Sequence, residues 1–234
     1  MNRKIVHRAT AGPASALVTA LAVLLPLAAL AGCGARSGAG RQERLQTGDL
    51  IFVSQAEGHD AKESSMDGAI AAATGDVIHV ALVEVDGADV WVIDATTRRG
   101  VSRRPLDTFY SDFVYDDGTN SVYTVKRMND TGLASQWIET AKSFCGQPYD
   151  EYFLPDNGAM YCSELVQESF LDKDGHCLFD GNPMNFKNEN GEYPEYWVDL
   201  FTRLGTDVPQ GVPGTNPQDL SSSSLLHAVP VLLP

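Results

Sequence analysis

The apolar positions of this chain fall into three patterns. From Ala14 to Ala31 they form one run without a charge; further along they come as short strand-like runs between turn residues, and later at helical spacing. Thr47-Gly48-Asp49 reads as a turn, and Leu50-Ile51-Phe52-Val53 after it as a strand. Ser64 to Thr74, with Met66, Ile70 and a row of alanines, predicts a short helix that Gly75 ends. Val77 to Val85 is the clearest strand, Val90 to Ala95 the next, and Ser121 to Arg127 alternates as another. Asn129 or Asp130 is a cap for a helix running to about Phe144, with Trp137, Ile138, Ala141 and Phe144 on its apolar stripe. A further helix begins near Cys162 and carries Leu165, Val166, Ser169 and Phe170. Residues 172–194 are rich in Gly, Asn and Asp and predict a long surface excursion. Glu195 to Leu204 reads as a short helix ended by Gly205, and Asn216-Pro217 as the cap and first turn of a last one. No internal repeat is present.

The first apolar run has an address rather than a fold. Arg3, Lys4 and Arg8 precede it, and Leu30-Ala31-Gly32-Cys33 ends it, which resembles the lipobox of bacterial lipoproteins. Pro26 interrupts the run, and small and polar residues follow it at once, which argues against a retained membrane helix. The expectation is a signal peptide over 1–32, lipid on Cys33, a flexible tether over 33–44 and one domain over 45–234, exported and anchored to the bacterial cell membrane. Removing the first 32 of 234 residues leaves 202, enough for one real core. With the three basic residues gone, 14 Lys and Arg stand against 31 Asp and Glu, a formal charge of −17. Such a surface repels nucleic acid, which is excluded as a partner.

Three cysteines then remain, Cys145, Cys162 and Cys177, so in an oxidising compartment at least one is free or pairs between molecules. A Cys145–Cys177 bridge that leaves Cys162 free is left open. No C-x-x-C pair exists, and with His176 the ligands would be scattered, so neither a metal nor a cofactor is expected.

Cys162 stands where a loop turns into an apolar helix, and the positive end of a helix favours thiolate, the form that attacks carbonyl carbon. A partner base follows from turn chemistry. Asp86-Gly87 is a preferred pair for a two-residue type I′ hairpin. Taken as the turn, it sets Val85 against Ala88 and His79 against Asp94, with Cβ atoms about 4.5–5.5 Å apart on one sheet face. A Gly87-Ala88 turn would shift that register by two. Arg98, Arg99, Arg103 and Arg104 form a basic cluster that reads either as a receptor for a substrate carboxylate or phosphate or as a solvated hairpin.

Three pieces now stand in order: Gly48-Asp49-Leu50-Ile51-Phe52; His79-Val80-Ala81-Leu82-Val83 with Val92-Ile93-Asp94-Ala95; and Gly146-Gln147-Pro148-Tyr149-Asp150 with Tyr161-Cys162-Ser163-Glu164-Leu165. Together they resemble the YiiX/YaeF-like (YebB-like) proteins, a circularly permuted branch of the NlpC-type papain-like cysteine hydrolases. The resemblance implies an α+β fold, with helices packed on one side of an antiparallel sheet that forms a small barrel-like layer. It implies Cys162 as nucleophile, His79 as base and Asp94 as the residue that orients it, in a place where the family usually has glutamate. Tyr149 matches the tyrosine that precedes the nucleophile in NlpC-type enzymes, with a part in binding the oxyanion. The function implied is an amidase or endopeptidase of the cell envelope acting on a peptide crosslink or acyl amide. The alternatives are a lipid acyl hydrolase or acyltransferase, and a non-catalytic lipoprotein that only binds.

Overall fold

The computed structural model describes residues 42–59 and 61–233. The signal peptide expected over 1–32, Cys33 and most of the expected tether lie outside the described residues. Glu43 already belongs to the folded part, two residues before the expected start. Its N–H donates to the Pro230 carbonyl at 3.0 Å, and its carboxylate pairs with Arg127 at 2.8 Å. Among the described residues no helix is long and apolar enough to cross a membrane.

In chain order the elements are β1 (Leu50–Ser54), α1 (Met66–Thr74), β2 (Val77–Asp86), β3 (Asp89–Thr96), β4 (Gly100–Pro105), α2 (Leu106–Ser111), β5 (Val122–Met128), α3 (Ala134–Ser143), α4 (Cys162–Ser169), β6 (Asn182–Pro183), α5 (Glu195–Leu204), β7 (Pro213–Gly214), α6 (Pro217–Ser222) and β8 (Leu226–Val229). Six strands form one antiparallel sheet in the order β4-β3-β2-β1-β5-β8, and β6 and β7 make a small second one. The fold is therefore α+β, an antiparallel sheet with helices packed on it.

Both faces of the sheet are buried. On one, Leu50, Phe52, Val80, Leu82, Ile93 and Ala95 pack against Trp137 and Ile138 of α3 and Leu165 and Val166 of α4. Trp137 stacks on Phe170 just past α4, centroids 4.5 Å apart, which ties the two helices together. On the other face, Ile51, Val53, Ala81, Val83 and Val92 pack against Phe109 of α2, a helix the apolar pattern does not reveal. A third cluster joins Met184, Phe186, Trp197 and Phe201, so the expected surface excursion carries two anchors into the interior. The thiols of Cys145, Cys162 and Cys177 are all free, and Cys145 and Cys177 are exposed.

The hairpin of β2 and β3 departs from the Asp-Gly expectation. Asp86 pairs with Asp89 and Val85 with Val90, so Gly87 and Ala88 make the turn. Gly87 has φ +61° and is the only residue of the turn at positive φ. That suits a type II′ turn, which needs glycine at its first central position, whereas type I′ would also force Ala88 to positive φ. The register moves by two residues. Asp94 then falls opposite Ala81, with His79 two positions along. Side chains alternate with period two, so an even shift leaves His79 and Asp94 on the same face. They face each other diagonally instead of directly.

Candidate active site

The diagonal is short enough to bond. His79 Nε2 lies 2.9 Å from Asp94 Oδ2, both side chains buried, and Nδ1 is the ring nitrogen left for another partner. Phe109 and Phe113 flank the ring, centroids 6.2 and 5.0 Å away, and restrict its tilt. Asp94 has no exposed surface, and a carboxylate buried in that way needs compensation. Arg104 supplies it with a fork, Nη2 to Oδ2 at 2.5 Å and Nε to Oδ1 at 3.2 Å, while its Nη1 bonds Asp112. Burial alone would raise the Asp94 carboxyl, but His79 and Arg104 outweigh it and hold it below its ordinary value.

The arginine cluster is thus spent largely inside the protein. Arg104 and Arg99 both pair with Asp112, and Arg103 pairs with Glu84 at 2.5 Å with its guanidinium 3.9 Å above the Trp91 ring. Only Arg98 keeps a largely exposed side chain, 3.3 Å from the same Asp112. The reading as a ready receptor for a substrate anion gives way to one in which Arg104 anchors Asp94. Sequence spacing carries no signal for that, because Asp112 arrives from the far side of α2.

Cys162 opens α4, with Tyr161 as the preceding cap residue. The Tyr161 N–H donates to Glu164 Oε2 at 3.3 Å, half of a capping box, and fixes the first turn. Cys162 is 5% exposed and stands beside His79 in one cavity wall. Burial works against a charge on His79, but the Cys162 thiolate first and the Asp94 hydrogen bond next overcome it, and the imidazole is raised to about 10. An imidazole that holds its proton therefore stands beside the thiol of Cys162. Tyr149 lines the same cavity, its hydroxyl touching only Met66 Sδ at 3.8 Å among the described residues. Burial, reinforced by the neighbouring thiolate, pushes that hydroxyl well above its ordinary value, so it stays a hydrogen-bond donor.

Cys162 lines two cavities, and Ile70 and Tyr149 line both with it. One, of about 230 Å³, is lined by His79 and by the charged side chains of Asp67, Arg98, Arg99 and Asp112 together with apolar ones. The other, of about 50 Å³, is walled by apolar and uncharged polar side chains and does not include His79. Asp67, on the first turn of α1, is a titratable group the sequence reading does not single out. Burial raises its carboxyl and nearby His79 pulls it back.

The geometry has counterparts in known proteins. The chain is similar to the uncharacterized protein YiiX of Escherichia coli K12, 26% identical over 189 residues, covering 79% of this chain and 85% of that protein. Its fold is similar to the crystal structure of metalloprotein yiiX from Escherichia coli O157:H7, with TM-score 0.64 and 24% identity over 82% of this chain and all of that one. Residues 44–230 match the permuted papain-like amidase enzyme family, YaeF/YiiX, C92. With the match spanning the whole sheet and every helix on it, the chain belongs to this family of permuted papain-like amidases and is a cysteine hydrolase.

Proposed function

We propose that the protein is an amidase or endopeptidase of the bacterial cell envelope, working through Cys162, His79 and Asp94 and held at the membrane by lipid on Cys33. The observation that carries the chemistry is the buried His79–Asp94 bond at 2.9 Å beside a cysteine that opens a helix. The location rests on the Leu30-Ala31-Gly32-Cys33 segment.

The Cys162 thiolate attacks the amide carbonyl, and the C–O π electrons move onto oxygen. The Cys162 backbone N–H and the Tyr149 hydroxyl donate to that oxyanion. His79, protonated at rest, gives its proton to the leaving amine as the C–N bond breaks and a thioester forms. Forming the thioester consumes the charge that most raised His79, so the neutral imidazole then takes a proton from water. Hydroxide displaces the thioester sulfur, the acid leaves, and His79 and Cys162 regain their ion pair. Asp94 orients the ring throughout and stabilises its positive form. The Escherichia coli relative is described as a metalloprotein. Among the described residues here, no three His, Cys, Asp or Glu side chains are placed to hold a metal ion, so the residues do not fit one.

Alkylation by iodoacetamide near pH 6 tests the pair without a known substrate. Burial raises the thiols of Cys145 and Cys177, so both should react slowly. Cys162 is expected to label at least about tenfold faster, and His79→Ala to bring it to their rate. Equal rates in the folded protein would remove the nucleophile. Mass spectrometry of membrane-extracted protein tests the anchor: the chain should begin at a lipidated Cys33, and an unmodified chain beginning elsewhere refutes it.

A further inference from the structure

The turn between β3 and β4, together with β4 itself, carries four arginines, and their acidic partners do not balance them. Arg103 is matched by Glu84. Arg104 forks onto Asp94 and reaches Asp112, Arg99 takes both oxygens of Asp112, and Arg98 has only Asp112 Oδ1, at 3.3 Å. Three guanidiniums therefore share two carboxylates, and one of those, Asp94, also holds His79. Arg98 is the cation left over. Its bond is the longest on Asp112, and its side chain is 74% exposed against 27% for Arg99 and 6% for Arg104. Its Nε and Nη2 make no hydrogen bond among the described residues, so an edge of the guanidinium is open to a carboxylate, which takes two parallel N–H bonds from one.

That surplus charge lies at the nucleophile. Arg98 and Arg99 line one cavity with Cys162, His79 and Tyr149. Asp67 enters the same cavity from α1, but among the described residues no ion pair joins it to either arginine. On an ordinary mixed surface an exposed arginine would say little. This chain carries 31 Asp and Glu against 17 Lys and Arg, so the molecule as a whole repels an anion, and a cationic wall beside Cys162 offsets that repulsion where the chemistry takes place.

We propose that Arg98, backed by Arg99, is a specificity residue that receives a carboxylate of the substrate close to the bond that Cys162 attacks. The inference deepens the amidase reading and rests on Cys162 as the nucleophile. It favours peptides or amides with a free carboxylate near the scissile bond over uncharged lipid amides and esters.

Two alkylating probes of equal length test this without a known substrate: N-iodoacetylglycine, which carries a carboxylate, and N-iodoacetylglycinamide, which does not. With both, the cysteine sulfur displaces iodide and a thioether forms. The measurement is the ratio of the two rates, acid over amide, at each cysteine of the folded protein near pH 7 and at low salt, read by peptide mass spectrometry. At exposed Cys177 the overall negative charge should hold the ratio at about one or below. At Cys162 it should be at least about fivefold higher. Arg98→Gln should lower the Cys162 ratio at least about threefold, through the acid probe and not the amide. Arg98→Lys keeps the charge and should stay within about twofold of the native ratio. An exposed arginine contributes little to folding, so both variants should melt with the native protein. A Cys162 ratio no higher than that of Cys177 overturns the proposal, as does one that Arg98→Gln leaves unchanged or an Arg98→Lys ratio no better than that of Arg98→Gln. If Cys162 takes the amide probe no faster than Cys145 and Cys177 do, the nucleophile assignment itself fails, and the carboxylate subsite with it.

Discussion

Among the described residues, two aspartates are fully buried and held by an arginine fork, and only one of them adjoins a histidine. Asp49, in the turn before β1, receives Arg127 Nε at 2.6 Å and Nη2 at 3.0 Å, and its Oδ2 also accepts the Gln46 N–H at 2.8 Å. Asp94, in β3, receives Arg104 in the same bidentate way, but its Oδ2 also bonds His79. At Asp49 every neighbouring contact ties chain to chain: the 46–49 turn, the 43–44 segment and β5. At Asp94 one contact leads to a titratable ring beside a thiol. A buried carboxylate–arginine pair thus marks structure by itself, and becomes part of a candidate site only through what else it holds. Glu164 supplies a third case. It is buried with no arginine against it, and burial, with Asp150 adding to it, pushes its carboxyl up to about 8.

The comparison is broken most directly by activity. Asp94→Asn should lower kcat/KM at least about a hundredfold per folded molecule, because the ring loses its orienting charge. Asp49→Asn should leave it within about twofold. A similar loss in both would make Asp94 a structural residue. Activity should also fall as pH rises through about 10, where His79 loses the proton it delivers to the leaving group. In Asp94→Asn that alkaline limb should move to lower pH, since the Asp94 bond helps to raise the ring.

Stability should not separate the two sites. Asp49→Ala and Asp94→Ala each take one of two carboxylate partners from a buried guanidinium, leaving Glu43 on Arg127 and Asp112 on Arg104, and each should cost about 1–3 kcal/mol in urea unfolding. A cost below about 1 kcal/mol at either would show that its arginine finds water instead.

The last effect belongs to Glu164. Its folded value of about 8 lies above the ordinary 4.5, so the neutral form is favoured in the fold. Its contribution to stability is whole below about pH 4.5 and is lost as pH rises towards 8, where the unfolded chain gains by ionising. Glu164→Gln keeps an acceptor for the Tyr161 N–H and removes that loss. The variant should match the native protein at pH 4 and exceed it by about 1–3 kcal/mol at pH 9. A flat difference between the two pH values would mean that Glu164 is ionised in the fold.

Local chemistry carried much of this into the sequence. Gly205 ends α5 with φ +70°, as expected of a helix-stopping glycine, and the Asn216 side chain caps α6 by accepting the Asp219 N–H at 2.8 Å. Strand alternation put His79 and Asp94 on one sheet face, and that survived a turn displaced from Asp86-Gly87 to Gly87-Ala88, because parity does not change under a shift of two. The order of the histidine, aspartate and cysteine motifs carried the family. What the sequence by itself could not determine depends on segments that meet only in the folded chain. The choice of Arg104 among four arginines depended on where α2 delivers Asp112. The small cavity draws on α1, α4, α5 and the strip after β7, over more than a hundred residues of chain. Turn and helix signals act over a few residues through backbone angles and hydrogen bonds. The volume of a cavity and the partner of a buried charge are set by packing, which only the tertiary structure decides.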